Sequence, residues 1–420
     1  MFKSSRRSRW IGALMAGACI APMLTACGGG DSASGSGGNT IRFLGHTGLQ
    51  ASMDEVIKAF ETAHPDIHVQ TQYAPAGPTY GQTLITQIQG GNAPDVFYGN
   101  GGTGATESLI PLAKSGKLLD LSGQAWAADI PKAAEGMYKV DGKTYGLMMD
   151  ESPQGILYKP AAFKSMGLST PKTFSDVLAL CKAARGKDKY GISLSGQSAG
   201  YAAEIVAASL VYSAEPQWNT KRNAGEVTFS GTSGWEETLE RFRQMRKADC
   251  FQPGAESAST PQSFEPMTSG KALMTIVPSG ALGAVAAGKP NDWAMVAFPG
   301  DTEAQTRVSV GYQDALGVSA ATKKKTAALQ FLDFVAGDGA STRAELSGTV
   351  SLAQAKAGDL PKTLQGFKQP YDKNLTIARP HDQWAGGGAM NALSTAVVAF
   401  MTGQSSAVDA LKTVDKAWGQ

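Results

Sequence analysis

Thr40-Ile41-Arg42-Phe43-Leu44-Gly45 opens the stretch that decides the fold. It is a short apolar run and is read as a first strand. Met53, Val56, Ile57 and Phe60 then recur at i, i+3, i+4 and i+7, which makes one face of a helix, and Pro65 stops it. Ile67 to Tyr73 alternates apolar and polar residues, as a strand does. A second helix is expected over Tyr80 to Gln89, with Leu84, Ile85 and Ile88 on one face and Gly90-Gly91-Asn92 as its stop. Asp95 to Tyr98 is a short buried strand. Strand, helix, strand, helix, strand implies an α/β layer with parallel strands.

The same pattern returns downstream. Helices are expected at Ser175 to Arg185, Tyr201 to Tyr212, Trp235 to Lys247 and Thr326 to Ala336, and the tail from Ala389 to Trp418 is mostly helical. Tyr190 to Leu194 and Ala272 to Val277 are strands. Two α/β lobes fit this length better than one large sheet. With 420 residues, the prior is two or three domains at about 150 residues each. Hydrophobic residues at 42% and charged residues at 18% support a large core, which excludes a disordered or collagen-like chain.

Upstream, Lys3 to Arg9 is basic and Ile11 to Leu24 is apolar, interrupted by Pro22. That length suits a signal-peptide core rather than a bilayer span. Leu24-Thr25-Ala26-Cys27 resembles the bacterial lipobox, in which the signal is cut before the cysteine and the sulfur is acylated. Residues 1–26 are therefore read as a signal peptide. Cys27 with the Gly/Ser stretch to residue 39 is read as a lipidated tether. Removing Lys3, Arg6, Arg7 and Arg9 turns the formal +2 into 34 basic against 36 acidic groups. A near-neutral surface gives no electrostatic case for nucleic acid. Outside the cytoplasm, Cys181 and Cys250 either bridge or stay as two buried thiols, and the bridge is the expectation.

Several short segments together resemble one family. They are Thr40-Ile41-Arg42-Phe43, His64-Pro65-Asp66-Ile67-His68-Val69, Gly90-Gly91-Asn92-Ala93-Pro94-Asp95-Val96, Gly142-Lys143-Thr144-Tyr145-Gly146-Leu147 and Gln154-Gly155-Ile156-Leu157-Tyr158. Pro171-Lys172-Thr173-Phe174, Gly270-Lys271-Ala272-Leu273-Met274 and Ala328-Leu329-Gln330-Phe331-Leu332 continue the series. In this order, behind a lipobox, they resemble the sugar-type extracellular solute-binding proteins of bacterial ABC importers, distantly similar to maltose-binding protein. One departure stands out: after the Met274 strand the family often has Gly and Trp, whereas Ser279-Gly280-Ala281 lacks the aromatic.

The resemblance implies a two-lobed periplasmic-binding-protein-like α/β fold, each lobe a sheet flanked by helices, with solute held in a cleft between them. It implies three crossings, near Met148 to Glu151, Val310 to Tyr312 and Gly348 to Ser351. Lobe 1 would comprise residues 40–148 and 312–347, and lobe 2 residues 149–311 and 348–420. Such a protein binds a sugar, passes it to permease subunits in the membrane, works as a monomer and needs no cofactor or metal. Loops at strand ends and hinges supply candidate contacts. His46, Asn100, Glu151, Gln154, Ser279, Asp314 and Arg379 are expected to hydrogen-bond the solute, and Trp218, Tyr312 and Trp384 to stack on it.

Other motifs in the sequence point elsewhere. Gly99-Asn100-Gly101-Gly102-Thr103-Gly104 matches a dinucleotide fingerprint, but follows the third strand rather than the first. It is read instead as a glycine-rich cleft loop. Gly196-Gln197-Ser198-Ala199-Gly200 matches the nucleophile-elbow pattern, with His381 as the one downstream base, so a secreted α/β serine hydrolase is an alternative. A different solute, such as a polyol phosphate bound through Arg379, is another. His64 and His68 are separated by Pro65, which breaks the helix that would align them on a metal. Glu236 and Glu237 are adjacent and diverge on a helix, so they form no facing carboxylate pair.

Overall fold

The computed structural model describes residues 39–419 except 77, 104, 287, 288, 386 and 387. The signal peptide, Cys27 and the Gly/Ser stretch to residue 38 lie outside the described residues.

The opening apolar run forms the strand Thr40–His46, with Ile41, Phe43 and Leu44 buried. The i, i+3, i+4, i+7 set lies in the helix Gln50–Ala63, where Met53, Val56, Ile57 and Phe60 are all buried. The strands His68–Ala74 and Val96–Asn100 both pair with Thr40–His46 in parallel. Asp314–Val318 and Leu147–Met148 complete this first sheet, each antiparallel to its neighbour. The all-parallel expectation therefore holds for the first three strands and fails at the two that arrive from the crossings.

The second sheet has the order Thr376–Ala378, Val308–Gly311, Asp150–Tyr158, Ala272–Pro278 and Tyr190–Ser193. Asp150–Tyr158 also pairs with Ala294–Val296 and Val350–Ser351. The chain thus passes from the first sheet to the second at Met149, and returns through Tyr312 and Gln313. It reaches the second sheet again after the helix Ala340–Ser347. The fold is mixed α/β with two sheet-containing lobes.

The core does not divide at the lobe border. One cluster joins Phe43, Val96 and Leu316 of the first sheet to Leu157, Val308 and Phe367 beside the second. The other fills the far side of the second lobe and holds an aromatic nest. There Phe229 lies 4.8 Å from both Trp218 and Trp235, and 5.3 Å from Trp384.

Two features fix the frame. Arg343 and Asp150, 1% and 4% exposed, form a buried ion pair, and Arg343 Nη2 also donates to the Met149 carbonyl at 2.6 Å. Cys181 and Cys250 are bridged across 69 residues of sequence. Replacing Arg343 by Leu leaves Asp150 buried without its partner and should cost about 3–5 kcal/mol in urea unfolding. A loss below about 1 kcal/mol would show that the pair is solvated. Replacing both cysteines by Ser should cost up to ~4 kcal/mol, because the unfolded chain regains loop freedom. An unchanged urea midpoint in that variant would refute a stabilising bridge.

Candidate functional site

Two groups of polar side chains gather where the sheets meet. The first stands at the ends of Thr40–His46 and Val96–Asn100 and the start of Asp314–Val318. The His46 ring packs edge-on against Tyr98, with centroids 4.5 Å apart, and its Nδ1 accepts from the Gly48 N–H at 3.1 Å. That bond assigns the proton of the neutral ring to Nε2. Burial lowers the His46 pKa, with Asp314 opposing, so the ring is neutral at pH 7. The Tyr98 hydroxyl lies 2.5 Å from Asn100 Oδ1 and 2.8 Å from Asp314 Oδ1. It has one proton to give, so one of these acceptors is left over. Asn100 Nδ2 donates to Glu107 at 3.0 Å.

The second group is carried by the second sheet and the turns around it. Glu151 is buried beside Tyr312 and accepts from the Tyr371 hydroxyl at 2.9 Å. Burial pushes its carboxyl up to about 7, against the Tyr371 bond. Ser152 Oγ meets Ser279 Oγ at 3.2 Å. Arg379 Nε donates to Asp382 Oδ1 at 2.9 Å, and Nη2 lies 2.7 Å from the same oxygen. The guanidinium lies against Gly311, where a Cβ would come within 3.0 Å of Cζ. Among the described residues, neither the buried Asp382 Oδ2 nor Arg379 Nη2 makes a hydrogen bond. Behind this pair, Glu204 is fully buried and accepts from the backbone N–H of His381 at 2.7 Å, while the His381 ring Nδ1 lies 2.6 Å from its other oxygen. Asp314 belongs to the first group, yet its charge acts on Arg379 of the second.

Several expected contacts are placed elsewhere. Trp218 is 1% exposed in the aromatic nest, and its Nε1 donates to Thr232 at 3.0 Å. Trp384 is buried in the same nest and donates to Asn219 at 3.2 Å. Neither offers a free ring face; both were drawn inward by aromatic partners distant in sequence. Gln154 is interior, its Oε1 accepting from Ser309 at 2.6 Å. Ser279 is fully buried and its hydroxyl is engaged by Ser152. The Tyr312 side chain is buried and packs with the first core cluster. A Cβ at Gly99 would strike Leu109 and one at Gly101 would strike Tyr138, whereas Gly102 has open space and a φ of +82°. Gly104 lies outside the described residues. Among those residues, no group of three or more His, Cys, Asp or Glu is arranged to hold a metal ion.

A sequence profile of the bacterial extracellular solute-binding protein family matches residues 45–342. The chain belongs to that family. This solute-binding protein is 25% identical over 308 residues to the multiple sugar-binding protein of Streptococcus mutans, covering 68% of each chain. Among solved structures it resembles the solute-binding protein RafE in complex with raffinose, with a TM-score of 0.71, 19% identity, and 90% and 98% of the two chains covered. It also resembles a family 1 extracellular solute-binding protein from Bifidobacterium longum subsp. infantis, with a TM-score of 0.67, 23% identity, and 91% and 99% coverage. That family is one of binding proteins, not of enzymes. At the nucleophile-elbow motif the serine and the histidine have separate partners. The Ser198 hydroxyl is engaged by Thr260 at 2.6 Å, and the His381 ring is held by Glu204.

Sequence reasoning missed Tyr98, Glu107, Tyr371, Asp382, Glu204 and Tyr201. Tyr201 is 42% exposed and meets the His381 ring edge-on at 5.2 Å. Asp382 could have been found, since it stands three residues after Arg379 in a turn already singled out.

Glu151 supplies a pH test. Its folded pKa of about 7 exceeds the ordinary 4.5, so the folded state holds a proton that the unfolded chain has lost. The stability this gives is complete below pH 4.5 and disappears as pH rises through 7. Glu151→Gln should remove this fall and be up to about 3 kcal/mol more stable than the parent at pH 8. Parallel stability–pH curves for parent and variant would refute the buried, protonated carboxyl.

Proposed function

We propose that this solute-binding protein captures a neutral carbohydrate, an oligosaccharide, between its two lobes and hands it unchanged to the membrane permease of an ABC importer. The observation that carries this is a surplus of hydrogen-bond acceptors. Asp314, Asn100 and Glu107 on one side face the needs of a single Tyr98 proton and one Asn100 amide. On the other side, among the described residues, Asp382 keeps an unpartnered oxygen and Arg379 an unpartnered nitrogen, an acceptor and a donor for a hydroxyl. Sugar hydroxyls are donors that fit such acceptors, and each one matched in a closed, dry cleft counts strongly. An anion would meet Asp314 and Asp382, and the charge of Arg379 faces Asp382 already. A phosphorylated polyol is therefore the weaker reading.

Tyr201 supplies the exposed aromatic face that the buried tryptophans do not. The names of the relatives, a multiple sugar-binding protein and a raffinose complex, support the solute class. The lobes are taken as residues 40–148 with 312–347 and 149–311 with 348–420. Closure is a population shift set by the solute's preference for the closed state. The protein acts as a monomer, tethered outside the cell by a lipid on Cys27 and its Gly/Ser stretch.

A thermal-shift screen of neutral oligosaccharides and phosphorylated polyols checks the reading. A bound sugar at 100 times its dissociation constant should add about 2.7 kcal/mol. In calorimetry, Tyr201→Ala should weaken that sugar by about tenfold. Stabilisation by a phosphorylated polyol, with none by any neutral sugar, would reverse the assignment.

A further inference from the structure

The second lobe contains a cavity of about 240 Å³ that the hydrogen-bonding groups above do not use. Leu194, Phe264, Ile276 and Val277 contribute apolar wall. The serines and threonines around it are spent on the protein itself. Ser193 donates to the Ser263 carbonyl at 2.6 Å, Ser195 to Ala258 at 2.9 Å and Thr275 to Ser193 at 3.0 Å. Ser263 donates to Thr260 at 2.7 Å, and Ser198 and Thr260 engage one another. These hydroxyl protons are already given to backbone carbonyls, and the wall between them is apolar, so a sugar ring placed here would exchange water for few donors.

The cavity borders the polar site. Tyr201 lines it while touching the His381 ring, and lies within the field of Arg379 and Asp382. Pro278 lines it too, and is paired in the sheet with Gln154, one residue before the Ser279 that meets Ser152. Small residues, Ala202 and Ala281, keep the space open. An apolar cavity of about 150 Å³ is already large enough to take up benzene.

We infer that this cavity receives a ring-sized apolar substituent of the bound carbohydrate, so that the solute class is aryl glycosides. The inference rests on the carbohydrate reading above and deepens it. The polar groups at the lobe junction hold the sugar, and the aryl group enters past Tyr201 and Ala281 into the dry space behind.

The test is calorimetry on the purified protein with matched methyl and phenyl glycosides of glucose, galactose and xylose. For whichever sugar binds, the phenyl form should bind about tenfold tighter or more. Ala281→Trp, which fills the cavity, should return the phenyl form to the methyl level while leaving the methyl form within about twofold. Equal affinities of methyl and phenyl forms in the parent overturn this inference and leave the carbohydrate reading intact. Equal weakening of both by Ala281→Trp overturns it as well. Binding of no glycoside of either kind overturns this inference, and it overturns the carbohydrate reading too only when the thermal-shift screen finds no neutral oligosaccharide that binds. Should Ala281→Trp fail to fold, the fluorine resonance of a bound 4-fluorophenyl glycoside decides. Protection from a water-soluble paramagnetic agent supports the inference, and full exposure overturns it.

Discussion

Asp150 is charged and buried, and it stands at the step where the chain leaves the first sheet for the second. A carboxylate in that position is expensive to desolvate, and Arg343 is what makes it tolerable. The arginine also takes the carbonyl of Met149, so both the step and the strand after it are held from one helix. That strand, Asp150–Tyr158, pairs with four others in the second sheet. Glu151, Ser152 and Gln154 are its first residues, and their registry with Val350, Gly311 and Pro278 follows from where Asp150 is pinned. The placing of Glu151, Ser152 and Gln154 is thus inherited from a single buried ion pair.

The polar site itself is built on imbalance. Proteins usually match buried acceptors with donors, and leftover acceptors are costly once water is gone. Here Tyr98 stands between two acceptors, and Asp382 retains an oxygen with no partner. On the proposed function, a solute rich in hydroxyl donors would correct that imbalance on closure, the differential interaction a two-state receptor needs. The neighbouring cavity is walled by apolar side chains, and the protons of its serine and threonine hydroxyls already go to protein oxygens.

Much of the scaffold could be read before folding. The helix Gln50–Ala63 and the strands around it follow from period alone, because their partners lie close in sequence. The antiparallel arrival of Asp314–Val318 beside Val96–Asn100 does not, since no local pattern encodes a neighbour from another part of the chain. His46, Asn100, Asp314, Glu151 and Arg379 were legible as polar residues at strand ends and turns, and the fold gathers them where the sheets meet. The tryptophans misled for a physical reason. Trp218 and Trp384 look like loop aromatics, yet Phe229, Trp235 and Trp418 bury them through contacts that appear only in three dimensions. Tyr201 was hidden in the opposite way, by lying in a helix whose other residues are nearly all buried.

The order of strands in the first sheet also bears on how the molecule is made. Tyr98 and Asp314 sit on neighbouring strands but are 216 positions apart in the chain. Most of the second sheet is synthesised in between, so a nascent chain carries an open β edge until the returning segment emerges. Assembly therefore waits on late-arriving residues, and a fragment cut between the two would strand unpaired backbone prone to sticking to its neighbours. Neither half can be produced by simply truncating the polypeptide; isolating one would require rewiring its connections.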